Sequence, residues 1–104
     1  MPATRQLVCI WDSTVIVEVS GDLDVEGAPA LDLAVPDGIR QVVVDARRLR
    51  FVDSSGLNAF VALHRKVPVR IVTAEHSGLR RLLALTGLDT VIDVYDSVDE
   101  ALAC

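Results

Sequence analysis

Apolar and polar positions along the chain fall into short segments of two different periods. Residues 7–12, LVCIWD, are a mostly apolar run and 14–20, TVIVEVS, a β-branched one; Asp12-Ser13 lies between them, so a hairpin is the economical reading. Residues 41–45, QVVVD, form an unbroken apolar strand of the kind buried on both faces. Residues 69–73, VRIVT, make another, and 91–94, VIDV, a last short one. Val25, Ala28, Leu31 and Val35 are spaced for one face of a short helix that Pro36-Asp37-Gly38 stops. Leu57, Phe60, Val61 and Leu63 predict a second helix reaching Lys66, with His64-Arg65-Lys66 at the negative end of its dipole and Pro68 beyond. Leu79, Leu82, Leu83 and Leu85 predict a third over 77–86, stopped by Gly87. Ser97 and Glu100 read as a capping box that opens a final short helix.

The resulting order is ββαβαβαβα. A hairpin followed by alternating strands and helices predicts an α/β fold: a mixed, mainly parallel sheet of about five strands with about four helices. The 104 residues suit a single domain, 1–104. With 51% hydrophobic residues, a chain of this length buries roughly 65% of its unfolded surface and needs neither metal nor disulfide staples. Cys9, inside an apolar run, reads as buried filler and Cys104 as part of a frayed tail, so no disulfide is expected. No apolar run approaches the ~20 residues of a membrane span, and MPATRQ lacks the shape of a signal peptide; a cytoplasmic protein with no membrane partner is expected. The net charge of −5 argues against nucleic acid as a direct ligand.

In such sheets functional groups collect at the carboxyl ends of the strands. That edge should hold 21–24, 45–48 with 53–56, 73–77 and 95–97, while the Pro36 and Val67-Pro68 turns fall at the opposite edge. His64 and His76 lie at different edges and not at ligand spacing, so no histidine metal site is expected. Asp22, Asp24, Asp45 and Asp53 could form an acidic Mg²⁺ pocket like that of a phospho-acceptor receiver domain, and Thr73 fits the receiver's hydroxyl position. That reading needs a lysine after the last strand, where the chain has VIDVYDS; the one lysine, Lys66, is elsewhere. SSGL is not a nucleophile elbow, and the glycines are scattered singly, so no enzyme and no cofactor are expected. The stretch FVDSSGL, 51–57, remains. On its own it is a helix start rich in N-cap residues.

The wider pattern adds to that reading. GDLD…AP.L, then VVVDARRLRFVDSSGL, then LRRLLALTGLD and V.DVYDSVDEAL together resemble the STAS domain of anti-sigma factor antagonists, from about residue 7 to 102. The most specific block runs from Asp45 to Leu57. The resemblance implies a regulatory switch. Such proteins bind an anti-sigma factor that is also a serine kinase of the histidine-kinase-like ATPase type, which frees a sigma factor. The kinase phosphorylates a serine in the motif and breaks the complex; a PP2C-type serine phosphatase resets it. Carried over by position, the phosphorylated residue is Ser54. Asp53 is the carboxylate before it, Asp22 and Asp24 form the acidic loop beside it, and Ser55, Gly56, Leu57 and Asn58 complete its surroundings. Asn58 stands where a small residue is usual, a place from which it could alter partner fit. For Leu57 and Phe60 core packing is preferred over a place in the partner surface. The alternative within the same fold is a STAS scaffold or ligand-sensing module in another bacterial regulatory complex.

Overall fold

The structure, a computed structural model, describes residues 4–23 and 36–103, with side chains from residue 8 onward. Five strands follow in chain order: β1 (Thr4–Trp11), β2 (Thr14–Leu23), β3 (Gln41–Val52), β4 (Val69–Val72) and β5 (Asp93–Tyr95). Among the described residues there are three α-helices, α1 (Ser54–Lys66), α2 (Gly78–Thr86) and α3 (Val98–Ala103), and a 3₁₀ turn at Leu88–Thr90. The helix expected over 25–35 lies outside the described residues, as does Asp24. The strands lie side by side in the order β1-β2-β3-β4-β5. The first pair is antiparallel and the rest are parallel, which is the mixed sheet that the periodicities imply.

Local chemistry explains the joints. Asp12 and Ser13 take φ of +47° and +65°, so the β1–β2 hairpin closes on a two-residue turn with both central residues left-handed, the type that matches strand twist. Ser77 caps α2 by accepting the Arg80 N–H at 3.0 Å, and Gly87 ends it with φ +77°. Ser97 Oγ accepts the Glu100 N–H at 3.1 Å at the start of α3, as the capping-box reading expects of the serine.

The sheet is covered on both faces over its centre. Val15, Val17 and Val19 of β2, Val42 and Val44 of β3, and Val69 and Ile71 of β4 join Phe60 and Leu63 of α1 and Leu79 and Leu83 of α2 in the main core. On the opposite face Val43 and Val72 pack with Ala101 of α3. Burial on both sides is why β3 begins without polar alternation.

Three expectations need correction. Strand β3 does not stop at Asp45 but continues to Val52, and β2 continues through 21–23. Between Glu18 and Ser20, and again between Gly21 and Asp22, β3 carries one extra residue against β2. Each such bulge resets the inward–outward alternation, so ARRLRF shows no clean strand period. Asp45 to Arg48 is therefore strand, not an edge loop. The last strand begins at Asp93, because the 3₁₀ turn uses up the preceding residues and returns the Ile92 N–H to the Leu88 carbonyl at 2.8 Å. Helix α1 opens at Ser54, as the helix start read in FVDSSGL implies. Cys9 is exposed rather than buried: it sits on β1, the outermost strand, and Ile16, opposite it on β2, is the last contact with the α3 cluster.

Candidate functional site

The backbone passes from β3 into α1 at Asp53, which keeps extended dihedrals (φ −106°, ψ −172°) and acts as the N-cap. Its Oδ1 accepts the N–H of Ser55 at 2.9 Å and of Gly56 at 3.1 Å. Its carbonyl accepts the Leu57 N–H at 3.1 Å, and its own N–H donates to the Leu23 carbonyl at 3.3 Å, tying the helix start to the end of β2. Of three adjacent residues able to cap, the aspartate does so. Ser54 is thereby released from that duty and lies exposed as the first helical residue. The contrast with Ser77 is direct. That hydroxyl accepts the Arg80 N–H and lies 2.6 Å from the buried Thr73 Oγ1, so it is spent on structure.

The other residues singled out in the sequence separate by burial. Gly56 is buried, and a Cβ there would meet the Leu23 carbonyl oxygen at 2.6 Å and Val52 Cγ1 at 2.9 Å. Leu57 is half-buried against the main core and Phe60 fully buried in it, so both pack inward. Ser55 is half-buried; Asn58 is exposed and, four residues on from Ser54, shares its helix face. Asp22 is half-buried near the end of β2 and lies 3.5 Å from the Arg50 guanidinium.

Two neighbours were missed in the sequence. Phe51, opposite Asp22 in the register, is 53% exposed, and Arg50 pairs with Asp22. The signal was present in RLRF, but without the two bulges its outward side chains could not be assigned. The edge before Ser54 therefore combines an exposed ring, a guanidinium and carboxylates. It is not purely acidic.

Asp45 stands apart from this site. It is buried in mid-strand, where Arg47 donates to it from Nε at 2.9 Å, Nη2 at 2.7 Å and its backbone N–H at 3.2 Å. Burial pushes its carboxyl up, but the Arg47 hydrogen bonds and charge, helped by Arg48, outweigh that and hold it below the usual range. It is a structural ion pair and not a member of an acidic pocket. Among the described residues no group of three or more His, Cys, Asp or Glu could hold a metal ion. No helix there is long and apolar enough to cross a membrane.

A five-stranded α/β sheet whose polar edge opens on an aspartate-capped helix defines a small class of domains, and the comparisons say which. The family model described as "Mlab, STAS domain" matches residues 9–94, and the chain belongs to the STAS-domain family. An anti-sigma-B factor antagonist of Staphylococcus aureus (strain NCTC 8325 / PS 47) is 29% identical over 91 residues, covering 80% of this chain and 84% of that protein. The crystal structure of an anti-sigma factor antagonist from Mycobacterium paratuberculosis superposes with a TM-score of 0.84 at 32% identity, covering 96% of this chain and 92% of that one. The anti-sigma factor antagonist SpoIIAA in its unphosphorylated form shares the fold, with a TM-score of 0.71 at 20% identity over 94% and 93% of the two chains.

Proposed function

We propose that this protein is an anti-sigma factor antagonist, a non-enzymatic binding module of one domain spanning 1–104. Its partner is an anti-sigma factor that is also a serine kinase, and phosphorylation of Ser54 switches the binding off. A serine phosphatase restores it. The names of the relatives support the coarse function. The observation that carries the switch is the division of labour at α1: Asp53 caps the helix and Ser54 is left exposed. A phosphate there brings about −1.5 to −2 charges, which the positive end of the α1 dipole tolerates. Asp53 and Asp22 make the same edge unfavourable for an acidic or closely packed partner. Ser55, Gly56 and Leu57 shape the helix start, and Asn58 adds its exposed amide to the contact surface.

The test is phosphorylation by the cognate kinase with ATP. Ser54→Ala should stay unlabelled while Ser55→Ala takes label like the unaltered protein. Phosphopeptide mapping that places the label on Ser55 overturns the assignment. Capture of no anti-sigma factor by the unphosphorylated protein overturns the function.

A further inference from the structure

The outermost strand, β1, pairs on one side only, with β2. Among the described residues nothing pairs with its other side. Exposed strand edges are usually protected by charge, proline, bulges or shortness. Strand β1 has one charge and none of the other devices. It is eight residues long, TRQLVCIW, its register to β2 runs without a bulge from Thr4↔Gly21 to Trp11↔Thr14, and its only charge is Arg5. Three of the six large hydrophobic residues that are exposed in the described chain lie within its last four positions: Val8 (48%), Ile10 (58%) and Trp11 (61%).

The hairpin turn dictates which backbone groups face outward. Across a two-residue turn, Trp11 and Thr14 exchange hydrogen bonds, and every second pair after them does the same. Cys9 and Trp11 therefore direct their amides at β2, while Val8 and Ile10 direct theirs into solvent. A two-fold axis normal to the sheet keeps opposed residues on one face. Placed through Cys9, it sets Val8 opposite Ile10 of a second copy, twice, and both pairs exchange main-chain hydrogen bonds. It also places the two Cys9 residues opposite each other in a non-hydrogen-bonded pair.

We infer that β1 is a homodimer edge, joining two copies of this chain antiparallel through β1 into one continuous sheet with Cys9 at the two-fold axis. A second copy fits better than a foreign strand for two reasons. It brings the same apolar residues, so that 7–11 of the two strands overlap with Val8 and Ile10 on the matching face. The chain also carries a net charge of −5, and an edge whose only charge is Arg5 is where two acidic molecules approach with least repulsion. Strand-edge interfaces fall below the standard interface size, so the dissociation constant should lie in the micromolar range, about 1–100 μM.

Cys9 makes the register testable. Opposed Cα atoms in such a pair lie about 4.5 Å apart, inside the span that a disulfide bridges. In a Cys104→Ser background, diamide should take two electrons and two protons from the two Cys9 thiols as one S–S bond forms between copies. Sedimentation should show a concentration-dependent dimer in the same protein under reducing conditions. Val8→Lys should abolish both, with the thermal midpoint unchanged at a dilution where the unaltered protein is itself monomeric. Moving the thiol off the axis, as Val8→Cys with Cys9→Ser, should keep the dimer but cross-link at least about tenfold more slowly, since those positions lie too far apart for a bridge. A monomer at 100 μM (about the weakest affinity expected above) would overturn the inference. So would a dimer untouched by Val8→Lys, or equal cross-linking from positions 8 and 9.

Discussion

Gly56 and Leu23 are in backbone contact: a Cβ on Gly56 would stand 2.6 Å from the Leu23 carbonyl oxygen. That oxygen also accepts the Asp53 N–H, so it cannot move aside without losing a bond that sets the helix start. Gly56→Ala should therefore cost about 1–3 kcal/mol, an overpacking penalty with backbone as the obstacle. Urea unfolding measures it, and an unchanged midpoint would mean that the contact yields freely.

Asp53 and Ser54 should separate structure from switching. Asp53→Ala removes the acceptor for two amides and should destabilise by about 1 kcal/mol, whereas Asp53→Asn, which keeps an acceptor oxygen, should lose less. Ser54→Ala, at an exposed position outside the cap, should shift stability by no more than about 0.5 kcal/mol. Thermal unfolding of the three variants checks the order.

Phosphorylation of Ser54 should leave the fold nearly intact and act on the partner. The charge sits at the favourable end of a helix, so the stability cost should not exceed about 1 kcal/mol. A loss of ~3 kcal/mol in binding would weaken the complex by roughly two orders of magnitude. Ser54→Asp should reproduce part of this, having less charge. Calorimetric affinity beside thermal unfolding for both forms decides. Strong destabilisation with unchanged affinity would show a switch that works by unfolding.

Acid stability should depend on Asp45. Its carboxyl titrates below the usual range in the fold, so its pairing with Arg47 stabilises at pH above the unfolded value, about 3.9. That contribution is lost as pH falls through the folded value. Asp45→Asn should lower stability near pH 7 and flatten the loss as pH falls below the unfolded carboxylate value. Arg47→Ala, which leaves a buried carboxylate with fewer partners, should cost about 1–3 kcal/mol at neutral pH. Urea titrations at stepped pH give both.

Much of this was legible in the residues, for physical reasons. Strands buried on both faces announce themselves as unbroken apolar runs, and the three valines of QVVVD did so. The hairpin showed because a mostly apolar run and a β-branched one flank Asp12-Ser13. The second half of β3 was hidden, because two bulges destroy the alternation by which a strand is recognised, and Phe51 and Arg50 were hidden with it. Cys9 was misplaced because apolar neighbours suggest burial, whereas a strand's place in the sheet order is not written locally. At the helix start, Asp53, Ser54 and Ser55 are all competent caps. Only the geometry shows that the aspartate holds both amides, and the serine's accessibility follows from that.

The strand order has a consequence for how the molecule comes to exist. Each strand hydrogen-bonds only to strands adjacent to it in the chain, β1 with β2 and so on to β5. No strand waits for a distant one to be inserted beside it, so loop closure is taken in short steps. A chain leaving the ribosome can extend its sheet one strand at a time as each segment emerges, with the β1–β2 hairpin as the first template. Synthesis and assembly then run in the same direction, and the growing edge is always the newest strand.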